Sequence, residues 1–306
     1  NNMKEQKMNY DKIDNKVIEI VFVAGAHGSL GSAIIEILSA KENCFCIGLQ
    51  RNIIGTRSQY DTEGIPHTLM VPCDISNFPE TATLIRHFID PDSLQQSFND
   101  VSNGSFSRTL AGKTFRIGKI TLVHAVGPFK YEGYLTKDLD REIDPLILQM
   151  NYEAFENMAE SILSNNIHGQ MTPLHINLCT FGSVSEPYDI PLWFSFNEAK
   201  KKALHYMQSQ VEKHREHNNP KVSGLYIRTS TINTGKENNL RPNAPEEVKK
   251  YWLEPKIVAA KFCEDLGNLE AGECIIDDLI KPAPNFDPLK YYQPENLDLC
   301  WRSMMP

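Results

Sequence analysis

Gly25, Gly28 and Gly31 stand three residues apart in AGAHGSLG, and residues without side chains at that spacing suit a phosphate ligand. Lacking a Cβ, such positions let the chain turn tightly and bring its amides close to an anion. Gly25 would make the tight turn, Gly28 would let the backbone approach a pyrophosphate, and Gly31 would let helix and strand pack closely. The surrounding elements fit. VIEIVFVA (Val17–Ala24) is a short apolar run rich in β-branched residues, which reads as a buried parallel strand, and SAIIEILSA after Gly31 has apolar residues at helical spacing. Strand, glycine turn and helix in this order open a dinucleotide-binding βαβ unit. The diphosphate would lie on the free N–H groups at the helix start, where the dipole favours an anion. Gly25, His27, Gly28, Ser29, Leu30 and Gly31 are therefore the expected contacts, against the plainer alternative of a structural turn that binds nothing.

CFCIGLQR (Cys44 to Arg51) reads as the second strand. An acidic residue at its end would bond the 2′-hydroxyl of NAD, but this strand ends Gln50-Arg51. A neutral residue followed by arginine better suits the 2′-phosphate of NADP, which a guanidinium can clamp in a bidentate way. Arg57 is a second candidate, and a solvated loop charge is the bland reading of Arg51. HTLMVPCDIS (His67 to Ser76) is the third strand, ending at Asp74, and Phe78 to Ile89 has a helical pattern. Asp90 to Gly118 is rich in Ser, Asn and Gly and longer than an ordinary connection, so it reads as an insertion or a partly mobile lobe. KITLVHAVG (Lys119 to Gly127) is the fourth strand.

Bulk properties narrow the class. The 306 residues are 41% hydrophobic and 23% charged, an ordinary soluble composition, and no apolar run approaches the roughly 18 residues needed to span a bilayer. The first residues, NNMKEQKMNYDK, are polar, so no secretory signal is expected. A net charge of -8 with no basic stripe argues against nucleic acid. The seven cysteines (44, 46, 73, 179, 263, 274 and 300) are odd in number and lack metal-ligand spacing. Cys44-Phe-Cys46 reads as buried packing on one strand. A reduced, cytoplasmic protein without a metal is the expectation.

From about Val17 to Lys281 the chain resembles the short-chain dehydrogenase/reductases. Gly25-Ala26-His27-Gly28-Ser29-Leu30-Gly31 resembles the family's glycine motif, in a Gly-x-x-Gly-x-x-Gly variant. Asp74, followed by Ile75, matches the acidic residue that contacts adenine. His124-Ala125-Val126-Gly127 stands where the family has Asn-Asn-Ala-Gly. Asn151 matches a helix asparagine that shapes a proton-relay water. LHINLCTFGS (Leu174 to Ser183) matches the strand that ends in the catalytic serine, with Thr180 in that place by strand alignment and Ser183 by spacing to the next helix. SGLYIRTSTINT (Ser223 to Thr234) matches the sixth strand, with Thr234 where the family holds the nicotinamide carboxamide. Pro255 to Leu266 resembles the penultimate helix and Ala271 to Asp278 the last strand. The resemblance implies an α/β doubly wound parallel sheet (a Rossmann fold), hydride transfer with NADP (NAD possible) and a carbonyl or alcohol, and a homo-oligomer.

One departure is conspicuous. The family pairs Tyr with a Lys four residues on, one helical turn, the phenol moving the substrate proton and the ammonium lowering its pKa. The matching helix reads FSFNEAKKKALHYMQSQVEK. With Lys200 as the lysine, Phe196 takes the tyrosine place; with Lys201 it is Asn197. Leu204, Met207 and Val211 as core positions favour Lys201. Neither register holds a phenol, so another group must act as the acid. The candidates are Tyr131, Tyr134, Tyr188, Asp189 and His124, each with packing as its plainer role. A dinucleotide-binding protein without reductase activity, and an isomerase or dehydratase in the same cleft, remain as alternatives.

The domain is expected to run to residue 281. Beyond it, residues 282–306 form an extension with five prolines, which exclude one long helix. Its Tyr291, Tyr292 and Trp301 call for packing on this domain or on a neighbouring subunit. Gly235 to Pro255 reads as the substrate-loop region, anchored by Trp252.

Overall fold

A computed structural model describes residues 17–51, 59–60, 66–89, 116–133, 141–164, 174–216, 220–281 and 286–306. Eight strands form one sheet: β1 (Val17–Ala24), β2 (Cys44–Gln50), β3 (Gln59–Tyr60), β4 (Pro66–Pro72), β5 (Arg116–His124), β6 (His175–Ser183), β7 (Lys221–Thr229) and β8 (Cys274–Leu279). Their order is β3-β4-β2-β1-β5-β6-β7-β8. Every pairing is parallel except that of β3 with β4. The two-residue antiparallel edge strand β3 is an addition to the all-parallel sheet expected from the sequence.

The apolar runs of the central strands follow from burial on both faces. In β1, Ile20, Phe22 and Ala24 enter one core cluster, while Val21 and Val23 enter the other. Helices α2 (Phe78–Ile89), α3 (Pro145–Leu163, with a π-helical stretch at Gln149–Glu153) and α4 (Phe194–Lys213) cover the first face. Helices α1 (Ser29–Leu38) and α5 (Pro255–Asn268) cover the second. Cys44 and Cys46 are buried there as free thiols. A last helix, α6 (Pro294–Met304), follows β8.

The strand order reverses at β1, which pairs β2 on one side and β5 on the other, both parallel. That switch point opens a crevice at the carboxyl ends of the strands, where ligands bind in open α/β sheets.

Some boundaries move. The third expected strand stops at Pro72, and Asp74 lies in the turn beyond it. Strand β5 begins at Arg116, inside the span assigned to an insertion; residues 90–115 of that span lie outside the described residues. The tail prolines do not prevent a helix of 11 residues, because Pro294 occupies its first turn and Pro306 lies past its end. No helix among the described residues is long and apolar enough to cross a membrane.

Candidate active site

The crevice begins at the glycine turn. Gly25 has a φ of +80°, in the left-handed region where glycine carries no Cβ penalty. A Cβ there would lie 2.8 Å from the Ala125 carbonyl oxygen, and one on Gly31 would lie 2.3 Å from that of Gly25. The turn is closed by Gly28 N–H donating to the Gly25 carbonyl at 2.8 Å. Gly28 then caps α1 in an extended conformation without a side-chain bond. The first amides of the helix, on Ser29, Leu30 and Gly31, have no carbonyl one turn earlier within the helix to receive them, and so face the crevice mouth. His27 and Gly28 are exposed beside them, while Leu30 and Gly31 pack inward. The Ser29 hydroxyl donates to the Thr234 carbonyl at 3.2 Å, which brings the loop after β7 to the start of α1.

At the far edge, Gln50 is buried at the end of β2 and Arg51 is exposed. Asp74 accepts from the Ser76 hydroxyl at 2.7 Å and the Ser76 amide at 3.1 Å. The Ser76 hydroxyl bond holds its carboxyl below the usual range against the opposing effect of burial, helped by the amide bond and the Arg51 charge. Ile75 is buried behind it. Arg57 and Tyr134 lie outside the described residues.

The opposite end is built on the tip of β5. Lys200 is 3% exposed, and its ammonium donates to the Val126 carbonyl at 3.3 Å. Nζ of Lys200 and Oδ1 of Asn151 both lie 3.5 Å from the place of a Cβ on Gly127, so the two groups converge over a residue with no side chain. Asn151 lies in the π-helical stretch of α3. Its Nδ2 donates to the Pro128 and Ile147 carbonyls at 3.0 Å each, and its buried Oδ1 has no partner. Burial pushes the Lys200 amine down to about 8, against a counter-pull from Glu186.

Lys200, and not Lys201, faces this crevice. Lys201 is partly exposed and pairs with Glu198 at 2.7 Å and Asp189 at 3.2 Å. The inward stripe of α4 runs Lys200, Ala203, Met207, Gln210 and Val211, so the apolar positions that seemed to favour Lys201 belong to the face that Lys200 begins. Phe196 consequently stands one turn before the lysine, its ring centroid 5.6 Å from Nζ. Asn197 is fixed elsewhere, accepting from the Ser185 hydroxyl at 3.1 Å.

The two serine-place candidates separate. Thr180 is fully buried level with His124, its hydroxyl 3.5 Å from Nδ1 of that ring and 3.3 Å from its carbonyl. Ser183 ends β6 half-buried, its hydroxyl 2.6 Å from that of Ser185. Ser185 also receives the indole N–H of Trp193 at 3.1 Å. Glu186, not singled out from the sequence, is buried nearby and accepts from the Ser183 amide at 2.5 Å and the Tyr226 hydroxyl at 2.8 Å. Its burial raises its carboxyl pKa above the usual value. No motif announces Glu186, because it is the close approach of β6 and β7 at Gly182 that gives it a role.

The proposed substitute acids fare poorly. His124 is fully buried, and desolvation plus the Lys200 charge push its imidazole down to about 3, so it stays neutral at physiological pH and does not suit proton donation. The Tyr131 hydroxyl lies 3.4 Å from Asp298 and its ring stacks on Trp301. Tyr188 stacks on Tyr292 at 4.7 Å. Asp189 is held at the surface by Lys201.

These features suit a nicotinamide dinucleotide: a tight turn that a Cβ on Gly25 or Gly31 would displace, first-turn helix amides without intrahelical partners, and a buried acceptor, Asn151 Oδ1, without a hydrogen-bond partner beside an ammonium. Gly25, Gly28, Ser29 and Gly31 would hold the diphosphate, with the Thr234 carbonyl beside Ser29, and Asn151 and Lys200 would stand at the other end. When bound, the cofactor would supply a hydride or accept one.

Solved structures share the fold. The Thermoplasma acidophilum aldohexose dehydrogenase superimposes with a TM-score of 0.58 at 16% identity, over 89% of this chain and 98% of that one. A short-chain type dehydrogenase/reductase from Mycobacterium ulcerans gives 0.57 at 15%, over 86% and 90%. A 4-hydroxyisoleucine dehydrogenase complexed with NADH gives 0.51 at 15%, over 85% and 96%. No protein-family model matches the sequence, and no curated protein matches it. The fold is that of the short-chain dehydrogenase/reductases.

Proposed function

We propose that the chain is an atypical short-chain dehydrogenase/reductase, an oxidoreductase that uses NADP to move a hydride between nicotinamide and a carbonyl or alcohol carbon. The observation that carries this reading is the convergence of Lys200 and Asn151 over Gly127, across the crevice from the glycine turn. Lys200 would hold hydroxyl groups of the cofactor's ribose, and Asn151 Oδ1 would accept a hydrogen bond from a water or ligand N–H. Ser183 would touch a substrate oxygen, a reading supported by its position at the end of β6 and by Thr180 being buried against His124. The proton reaches the substrate by a route other than a phenol on α4, since Phe196 has no proton to transfer.

Fluorescence titration with NADPH and NADH, followed by NADPH oxidation against a panel of carbonyl compounds, tests the reading. Saturable NADPH binding with turnover supports it. Binding without turnover across the panel replaces it with a dinucleotide-binding protein that reduces nothing.

Cofactor choice has its own test. Arg51 is exposed at the end of β2, free to reach a 2′-phosphate, and a charge-assisted bond of this kind contributes about 1.5–3 kcal/mol. Arg51→Ser should weaken NADPH binding by roughly 10- to 100-fold and leave NADH within about twofold. An equal loss for both dinucleotides would remove Arg51 from the phosphate site.

A further inference from the structure

Ser183 belongs to a short chain of hydroxyls whose direction follows from its neighbours. Its Oγ lies 2.6 Å from that of Ser185, and on distance alone either hydroxyl could donate. Ser185 decides between them, because its single proton has two possible destinations. The Trp193 indole N–H, which can only donate, reaches the Ser185 Oγ at 3.1 Å and takes up one of its lone pairs. Oδ1 of Asn197 lies 3.1 Å from the same oxygen and can only accept. The amide is held in this sense, since its Nδ2 donates to the Ser185 carbonyl at 3.4 Å. Turned over, it would set two carbonyl oxygens against each other.

Ser185 and Asn197 are both buried. Sending the Ser185 proton to Ser183 would leave Asn197 Oδ1 facing only lone pairs, and a buried acceptor without a donor is costly. The Ser185 proton therefore goes to Asn197, and the Ser183 proton goes to Ser185. Ser183 Oγ also accepts from the Ser185 amide at 3.1 Å, and its backbone is fixed by the amide bond to Glu186 at 2.5 Å. With its proton and one lone pair engaged, the half-buried hydroxyl at the end of β6 has one lone pair left for a ligand.

We propose that Asn197 is a positioning residue: through Ser185 it turns the Ser183 proton inward, so that the site takes a ligand that donates a hydrogen bond, an alcohol in preference to the matching ketone. This rests on the oxidoreductase reading above, in which Ser183 meets the substrate oxygen. A ketone oxygen beside Ser183 would set lone pair against lone pair, or would draw off the proton now given to Ser185 and strand Asn197 Oδ1. An alcohol does neither, because its own O–H supplies the missing donor.

The test uses the full chain loaded with tetrahydro-NADP, whose ring neither gives nor takes a hydride, and calorimetric titration with cyclohexanol and cyclohexanone. These probes match in size and differ in hydrogen-bond sense. Wild type should bind the alcohol at least about 10-fold more tightly than the ketone, which corresponds to about 1.4 kcal/mol. Asn197→Leu keeps much of the shape but accepts nothing, which frees the Ser185 proton for Ser183 and the Ser183 proton for a ketone. Its two affinities should agree within about twofold. Trp193→Phe removes a donor from the same hydroxyl without changing where the Ser185 proton goes, and should keep the wild-type ratio within about twofold. A merely structural role for Asn197 would weaken both probes alike and leave the ratio unmoved. Neutron diffraction from wild-type crystals in heavy water reads the direction itself and carries the test if the leucine variant is poorly folded. Deuterium between the two serine oxygens supports the proposal; deuterium on Ser183 pointing into the crevice overturns it. Equal affinities or a ketone preference in wild type, or an unchanged ratio in folded Asn197→Leu, would overturn it as well. If neither probe binds, the oxidoreductase reading falls, while the diffraction arm still decides whether Asn197 sets the direction of the hydroxyls.

Discussion

Gly31→Ala is expected to abolish dinucleotide binding and to cost about 3 kcal/mol of stability, near the top of the usual range for an overpacked site. The added Cβ would lie 2.3 Å from the Gly25 carbonyl oxygen, 2.8 Å from its carbon and 3.1 Å from Cα of Ala26. All three are backbone atoms, so no side chain can rotate away, and either the turn or the helix start must shift. Alanine in a helix is favoured over glycine by about 1 kcal/mol, which is too little to offset the clash. In a chain of this length each kcal/mol moves the melting temperature by about 2 °C, so a fall of about 6 °C is expected. Displacing the turn also misaligns the helix amides, and losing two charge-assisted bonds lowers NADPH affinity by at least about 100-fold. Gly28→Ala makes the comparison informative. Its Cβ would meet only one atom within 4 Å, the Gly25 carbonyl oxygen at 3.1 Å, so a shift of a few tenths of an ångström suffices and the melting temperature should stay within about 2 °C of wild type. Thermal unfolding and NADPH fluorescence on both variants check this. A Gly31→Ala protein that binds NADPH within twofold of wild type would show that the turn is not a phosphate cradle.

The same contacts explain what was legible in the sequence. The opening βαβ unit could be read because each of its parts has a local signal: β-branched residues in β1, glycines where backbone meets backbone, and an apolar stripe in α1. Helix α2 runs over Phe78–Ile89 as expected for the same reason. The lysine register could not be read, because Lys200 and Lys201 differ by one position on α4. What separates them is tertiary: the β5 tip at Val126 and Gly127 accepts one amine, and Asp189 and Glu198 draw out the other. Helical spacing alone gave both residues apolar neighbours three to four positions on. His124 misled for a related reason. Its ordinary pKa suits proton transfer, and only the burial of the strand tip, together with the Lys200 charge, shows that the ring is neutral in the folded protein. The packing of the tail was half legible: Trp301 had to be covered by something, but nothing local says that Phe129, Trp193 and Arg241 cover it.

Lys200→Met should separate function from stability more sharply than any other change, lowering turnover at least about 100-fold while making the protein more stable at pH 7. Methionine has nearly the length of lysine and fills the same slot without a charge. Burial lowers the Lys200 amine from its ordinary value of 10.5 to about 8, and at 1.36 kcal/mol per unit this is a penalty of about 3 kcal/mol for keeping the ammonium in the folded state. Against it stand the hydrogen bond to the Val126 carbonyl and the cation–π contact with Phe196, together about 2 kcal/mol. The difference favours methionine by about 1 kcal/mol. The sign with pH follows from linkage. The folded pKa lies below the unfolded one, so between about 8 and 10.5 the unfolded chain binds more protons at this site and stability rises with pH. Below that window both states carry the charge and the full penalty applies; above it neither does. Urea unfolding at pH 7 and pH 10 should therefore show a stability increase in wild type that Lys200→Met lacks, on top of whatever other groups contribute equally to both proteins. NADPH oxidation assays on the same samples supply the other half of the comparison. A methionine variant that is less stable than wild type at pH 7 would mean that the amine is held by a partner strong enough to outweigh its desolvation. One that turns over normally would remove Lys200 from the chemistry, and leave Asn151 and Ser183 to be tested in its place.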